Sequence, residues 1–434
     1  DSMMDYFCSN GLFSGKQYGF IKGRSTVMQM LKILDQWTFG LEKGGYFDII
    51  YTDFEKAFDK VPHRRLLNKL VSYGVRPEVV KWIEGFLIYR QQRTGVRGHY
   101  SGWRKVLSGI PQGSVLGPLL FVIYINDLPL DVEEGEADIY LFADDAKIIK
   151  HIDTYEDQKQ LQRRCNRMQE WSDRWLLKLN VNKCMVLRIA IREVEAEYKY
   201  TLKSADNTEQ LKETSAVRDL GVMVDSRLSF KEHILEKVNK AYRTLGVIKR
   251  NFKHVDKDTF LILYKCMVRS QLEYANSVWN PHNIGLIEDL EKVQRRATKI
   301  IPACRKMTYE ERLKYLKLPT LVYRRHRGDM IEVYKIMHGI YDKETSIKLE
   351  RSEGGILTRG HSMKLKVHGS VHEARKWFFS VRVVNVWNSL TEDIVMSSSV
   401  NVFKNRLDRF WQGQEVLYDW RAKLTGAGVR SLVM

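Results

Sequence analysis

Ile139-Tyr140-Leu141-Phe142-Ala143-Asp144-Asp145-Ala146-Lys147-Ile148-Ile149-Lys150 decides how the first third of the chain is read. Two short apolar stretches, 139–142 and 147–150, flank a tight turn, which is the pattern of a hairpin. The tip of that hairpin carries two adjacent carboxylates. Upstream, residues 46–53 are rich in aromatic and β-branched side chains and read as a strand ending on a third acid, Asp53. Pairing of neighbouring strands would bring Asp53 and Asp144 together. Between these strands, 25–41 has Val27, Met30, Leu31 and Leu34 on one helical face, and Gly44-Gly45 ends it. Residues 63–73 and 78–86 also read as helices. Residues 91–100 and 103–107 are expected to form a hairpin. Ser108 to Gly113 is a loop, and the nearly all-apolar run from Val115 is a core helix. Residues 131–136 form an acidic loop.

Further along, Leu161, Cys165, Met168, Trp171 and Trp175 recur at helical spacing, and 183–189 and 198–202 read as strands. From Ile234 the helical pattern dominates, with further helices near 256–277, 285–301 and 319–338. A softer boundary is expected at 340–360. The sequence shows no internal repeat and no low-complexity tract.

The chain has 434 residues, enough for two or three domains. Its 71 Lys plus Arg against 53 Asp plus Glu give a net charge of +18, which favours a polyanionic partner. The charge is uneven. Residues 1–150 hold 19 basic and 18 acidic residues, whereas 231–330 hold 22 and 11. A nearly neutral chemical module followed by a polyanion-gripping one fits that distribution. The five cysteines include no Cys-x-x-Cys pair, so zinc knuckles and fingers are excluded and buried free thiols are expected. The longest apolar run, 115–125, is short of the roughly 20 residues of a membrane span. No signal peptide opens the sequence, and a start at Asp1 is read as that of a fragment.

Clustered carboxylates repel one another, so a site built from Asp53, Asp144 and Asp145 would hold a cation. Oxygen ligands with room for water suit Mg²⁺, with Mn²⁺ as the alternative ion. Two such ions would activate a 3′-hydroxyl and stabilise leaving pyrophosphate, and the Phe54 carbonyl could add a ligand. Glu55 and Asp59 compete with Asp53 for this role, and an Asp pair in a turn is also commonly just a solvated turn. Phe58 is either a core aromatic or a wall under a nucleotide sugar that excludes a 2′-hydroxyl. Pro111-Gln112-Gly113 either lines a substrate pocket or simply leads into the next helix.

In order and spacing, Asp53-Phe54-Glu55-Lys56-Ala57-Phe58-Asp59, then 109–118, then Phe142-Ala143-Asp144-Asp145 resemble a reverse transcriptase. More narrowly the set is similar to the polymerase of a LINE-type, jockey- or CR1-like non-LTR retrotransposon. Tyr18-Gly19-Phe20 with Gly23-Arg24-Ser25-Thr26, Asn180 with Lys183, Leu220-Gly221-Val222, Arg269 to Tyr274 with Val278 to Pro281, and the Phe378–Lys404 motifs extend the resemblance over nearly the whole chain.

The resemblance implies an α+β right-hand polymerase. Residues 1–230 would be partial fingers and palm (an antiparallel sheet plus helices), 231–340 a helical thumb and 341–434 an α-rich C-terminal extension. It implies RNA-directed DNA synthesis from a DNA primer, with deoxynucleoside triphosphates as substrates and nicked target DNA as primer in the intact element. Asp53, Asp144 and Asp145 would be catalytic, with the Phe54 carbonyl as a further metal ligand. Phe58 would be the sugar gate, and Gln112 and Gly113 would touch nucleotide or template. Lys183 would sit near the triphosphate and Arg24 near template or nucleotide, against the plainer readings of an exposed lysine and a surface ion pair. Leu220 and Gly221 would support the primer end, against a plain core strand. Lys237, Lys240, Arg243, Lys249, Arg250, Arg295 and Arg296 would track phosphates, with Arg324-Arg325 adding to them. No membrane and no zinc are implied. The expected location is the nucleus for target-primed synthesis and a cytoplasmic ribonucleoprotein before it. Set against the family, the upstream finger strands are expected to be missing. The competing reading is therefore a truncated or domesticated copy that only binds nucleic acid. An RNA-directed RNA polymerase is opposed by Phe58.

Overall fold

The computed structural model describes residues 2–132, 138–194, 198–204, 207–252, 255–352 and 360–426. Two compact units emerge, residues 1–29 with 44–215, and residues 30–43 with 216–434. These limits differ from divisions at 230 and 340. The hairpin at 216–225 packs on the helix that follows it, and the helix at 321–337 packs on helices beyond 341, so neither position separates compact bodies. Part of the softer boundary, 353–359, lies outside the described residues, as does 133–136 of the acidic loop.

The first unit is built on a five-stranded sheet: β1 (Tyr46–Thr52), β2 (Asp138–Phe142), β3 (Asp145–Ile152), β4 (Met185–Ile189) and β5 (Lys212–Thr214), in the order β5-β4-β1-β3-β2. β1 is central and antiparallel to both neighbours, with Thr52 opposite Ala146 and Asp48 opposite Arg188. Two helices cover the sheet. α1 (Gly117–Ile125) is apolar on all sides and buried throughout from Leu120 to Ile125. It starts two residues later than the apolar run because Pro118 fits only a first turn, which leaves Val115 in solvent. α2 (Tyr155–Trp175) lays Leu161, Cys165, Met168 and Trp171 into one core with Ile50, Ile148 and Val186. Burying these seven side chains contributes on the order of 10–20 kcal/mol before entropy is counted.

Several elements depart from the sequence reading. The expected hairpin of 91–100 with 103–107 is two nested ladders, Gln91–Gln92 with Arg104–Lys105 and Gly95–Val96 with His99–Tyr100. Residues 91–100 fold back on themselves because Arg97 and Gly98 both take positive φ. The strand expected at 198–202 is Thr201–Ser204, and Val181–Lys183 is a 3₁₀ turn ahead of β4. Cys165, Cys184 and Cys304 are buried thiols, but Cys8 and Cys266 are exposed because their helices turn those positions outward.

The second unit is mainly helical. It contains a hairpin of β6 (Ala216–Asp219) and β7 (Val222–Asp225), then α3 (Lys231–Asn251), α4 (Ile284–Ala297), α5 (Leu321–Met337), α6 (Phe379–Asn388) and α7 (Val400–Phe410). The helix expected across 256–277 is interrupted. A π-helical stretch, Tyr264–Arg269, separates Lys257–Leu263 from Ser270–Glu273, and Ala275 at φ +53° starts a new turn. No helix among the described residues is long and apolar enough to cross a membrane.

Candidate active site

The β2–β3 hairpin closes tightly. Phe142 pairs with Asp145, so Ala143 and Asp144 alone make the turn. Ala143 sits at φ +55°, a position that glycine usually takes and that costs an L-residue roughly 1 kcal/mol or more. Gln17, fully buried, holds it there. Its Oε1 accepts from the Ala143 N–H at 2.9 Å and from the Gly19 N–H at 2.7 Å, and its Nε2 donates to the Ala143 carbonyl at 3.4 Å. Gln29, also buried, donates to the Leu141 carbonyl at 3.0 Å. The sequence reading singled out neither glutamine. Gln17 stands one residue before the quoted Tyr18-Gly19-Phe20, and that adjacency was the available signal.

β1 delivers Asp53 to the same end of the sheet. Past Thr52 the chain stays extended, and Phe54 bridges Leu179. In that bridge the Asn180 N–H donates to the Asp53 carbonyl at 2.7 Å and Glu55 N–H donates to Lys178 at 2.8 Å. This pairing leaves the Phe54 carbonyl unused. Asp144 lies close enough for the Asp53 charge to act on it: burial first, and then that like charge, hold the Asp144 carboxyl above its ordinary range, while its own backbone N–H opposes the shift. The Asp53 Oδ2 is buried and receives no hydrogen bond among the described residues. Lys183 Nζ stands 3.3 Å from it, within ion-pair reach but off hydrogen-bond geometry, on a side chain that is 67% exposed.

The competing acids are engaged elsewhere. Glu55 pairs with Lys60 at 2.5 Å, and the hydrogen bond and charge of Lys60 hold its carboxyl below the usual range. Asp59 Oδ1 accepts from Gln112 Nε2 at 3.0 Å. Asp145 is exposed beside the turn. No three His, Cys, Asp or Glu side chains gather tightly enough to hold a metal among the described residues. Asp53 and Asp144 are thus the acids whose charges act on each other, and Asp145, the first strand residue after the turn, stands exposed next to Asp144.

The 108–113 loop is fastened to the segment after Asp53. Gly109 N–H donates to the Val61 carbonyl at 2.8 Å, Ile110 N–H to the Phe58 carbonyl at 2.8 Å, and Ser108 Oγ to the Asp59 carbonyl at 3.0 Å. The Gly109 carbonyl meets His63 Nε2 at 2.8 Å and Arg90 Nη2 at 2.7 Å. At φ +91°, a Cβ on Gly109 would lie 2.8 Å from the Asp59 Cα, so only glycine fits. Gly113, at φ +79°, faces open space. Phe58 is half-buried and stacks on Phe121 of α1, with centroids 4.4 Å apart and planes at 19°.

Arg24 donates through Nη1 to the carbonyls of Ser14 and Gln17, both at 2.6 Å, and so ties down the segment that carries Gln17. Leu220 and Gly221 form the β6–β7 turn, at φ +45° and +84°, rather than a strand. Two positive φ values in sequence define that turn type. Tyr274 Oη donates to the Leu220 carbonyl at 2.9 Å.

The basic residues of the second unit divide. At about 100° per residue, Lys240, Arg243 and Arg250 share the solvent face of α3, opposite the buried Ile234-Val238-Ala241-Leu245 stripe. Lys249 is exposed on one flank of that stripe and Lys237 is half-buried on the other, where burial first and neighbouring cations second lower its ammonium pKa. Arg296 is exposed over Tyr242, and Arg295 lies between Tyr309 and Trp420, 5.4 and 5.9 Å from their centroids. Arg324 pairs with Glu273 and Arg325 is buried, because α5 turns this pair away from the open surface.

Residues 3–224 match the family model described as reverse transcriptase (RNA-dependent DNA polymerase). The chain belongs to that family. Its α+β architecture is accordingly that of a right-hand polymerase. It is similar to the RNA-directed DNA polymerase from mobile element jockey of Drosophila funebris, 30% identical over 276 residues, covering 61% of this chain and 29% of that protein. It is also similar to a probable RNA-directed DNA polymerase from transposon X-element of Drosophila melanogaster, 26% identical and covering 68% of this chain and 33% of that one. The chain thus spans about a third of the length of these curated relatives. Among solved structures, telomerase from Candida albicans with a telomeric RNA fragment matches at a TM-score of 0.43 and 9% identity, covering 73% of this chain and 57% of that chain. Reverse transcriptases generally use divalent metals. The donor set here fits one: two close carboxylates, a buried oxygen on Asp53 that receives no hydrogen bond, and the Phe54 carbonyl. Mg²⁺ in particular takes one or two carboxylates and leaves other positions to water and phosphate.

Proposed function

We propose that this chain comprises partial fingers and palm, a helical thumb and a C-terminal extension of an RNA-directed DNA polymerase of a non-LTR retrotransposon, extending a DNA primer on an RNA template. The observation that carries the reading is the meeting of Asp53 and Asp144 at one end of the sheet, with one buried carboxylate oxygen that receives no hydrogen bond. Asp53, Asp144 and the Phe54 carbonyl would hold Mg²⁺, which when bound lowers the pKa of a 3′-hydroxyl and neutralises the triphosphate. Asp145 adds negative charge beside the pair. Lys183, long and solvent-facing, exchanges Asp53 for the triphosphate as substrate enters. Phe58, backed by Phe121, is a wall that cannot yield to a 2′-hydroxyl. Gln112 and Gly113 present an amide and an open backbone to the incoming nucleotide. Arg24 acts through the Ser14–Gln17 segment, and Leu220-Gly221 offers a rigid turn to the primer end. The solvent face of α3, with Lys240, Arg243 and Arg250, follows the duplex backbone, with Arg296 beside it. In the cell this work would be nuclear, on nicked target DNA.

Primer extension on an RNA template with Mg²⁺ and deoxynucleotides tests this. Extension by the wild type and its loss in Asp144→Asn–Asp145→Asn is the expected result. No extension by either, with salt-sensitive RNA binding by both, would instead favour a nucleic-acid-binding module. In an extending sample, Phe58→Ala should raise ribonucleotide use relative to deoxynucleotide use by about tenfold or more, the 1–3 kcal/mol scale of a steric pocket. An unchanged ratio would remove Phe58 from the gate.

A further inference from the structure

A cavity of about 550 Å³ lies inside the second unit, walled by α5, α6 and the segments around Asn280 and Trp420. Arg325 forms part of its wall and is 3% exposed. Its Nε donates to Asn280 Oδ1 at 3.0 Å, and among the described residues no carboxylate forms an ion pair with it. The acid on the same wall, Asp329, is already saturated: Arg382 donates to both its oxygens at 3.0 Å, and Asn280 Nδ2 adds a bond at 3.3 Å. The buried Glu291 attracts Arg325 from a distance, but its oxygens take the Tyr309 hydroxyl and the Leu321 N–H. A buried cation without an anionic partner opposes the fold. Burial draws the Arg325 guanidinium down to about 10. An anion in the cavity would supply that partner.

The rest of the wall suits a flat ring. Trp377 stacks on His282, with centroids 5.1 Å apart and planes at 4°, and Trp420 forms another wall. Arg421 stands exposed at the rim and extends the positive charge outward. His326 lines the same cavity. Burial draws its imidazole down to about 4, so at neutral pH it offers one donor and one acceptor to a base edge.

We propose that this cavity binds a nucleotide, its phosphate on Arg325 and its base against Trp377 and Trp420. The site belongs to the second unit and does not depend on the polymerase reading. A free nucleotide and one nucleotide of a single strand share this chemistry.

Binding measured through tryptophan fluorescence, with AMP and a ten-residue oligoadenylate as probes, tests it. Wild type is compared with Arg325→Met and with Asn385→Trp, which fills the cavity from an exposed rim position without touching Arg325. AMP binding weakened at least tenfold by both substitutions is expected. Oligoadenylate held more tightly than AMP, with the same sensitivity, assigns the site to a strand; the reverse order assigns it to a free nucleotide. Should Arg325→Met fail to fold, Asn385→Trp carries the comparison. No AMP binding by the wild type, or AMP and oligonucleotide binding unchanged in a folded Asn385→Trp, overturns the proposal.

Discussion

Asp48 and Asp53 stand five residues apart, Asp48 within β1 and Asp53 just past its end, in opposite environments. The Asp48 side chain is 0% exposed. Its oxygens accept from Arg188 Nε at 2.8 Å, Arg188 Nη2 at 3.1 Å and the Tyr200 hydroxyl at 2.8 Å. Asp53 is 35% exposed, its Oδ2 lacks a hydrogen bond and its neighbour is another acid. The first carboxylate is fully hydrogen-bonded by the fold, whereas the second meets only an exposed lysine at 3.3 Å, off hydrogen-bond geometry. Burial alone therefore does not mark the reactive acid. An unmade hydrogen bond beside a like charge does.

The comparison can be broken first at Asp48. Replacing it by Ala leaves the largely buried Arg188 with Glu213, 4.0 Å away, as its remaining acid, and should cost about 3 kcal/mol. Denaturant unfolding reads this as a lower midpoint, and an unchanged midpoint would deny the structural role. Next in size is Gln17→Leu, which strands the Ala143 and Gly19 N–H groups and should cost about 2 kcal/mol. The same variant should lose extension activity beyond what its stability explains, since the turn that aims Asp144 is released.

Asp53→Asn should have the smallest effect on stability, and of opposite sign. The Asp144 carboxyl is raised on folding, so its ionisation opposes folding at neutral pH, and that burden is relieved as pH falls through the raised value. Removing the Asp53 charge should therefore stabilise the protein by up to about 1 kcal/mol at pH 7 after solvent screening, with the gain vanishing in acid. Unfolding measured at pH 7 and again under acidic conditions would show this. A loss of stability at pH 7 would contradict it.

Much of the site was legible because its signals are local. The alternation in 46–53 and the turn between 139 and 150 each lie within one short window, and pairing two strands at a shared end brings Asp53 to Asp144. What the sequence concealed depends on long-range contacts. Gln17 is a polar residue in a loop, ordinarily solvated, and its role exists only once Ala143, 126 residues away, takes a left-handed turn. Arg324-Arg325 reads as surface charge, yet Glu273 and Asn280 draw the pair inward from 51 and 45 residues away. The Leu220-Gly221 turn reads as part of a strand in the sequence because two positive φ values leave no trace in hydropathy.

The central claim is that Asp53 is chemical where Asp48 is structural. Primer extension by wild type and Asp53→Asn, run beside their thermal unfolding, tests it most directly. The account predicts extension reduced at least about 10²-fold in Asp53→Asn, the scale of losing a preorganised electrostatic group, with a melting temperature equal to or above that of the wild type. Extension by Asp53→Asn at the wild-type rate would contradict it.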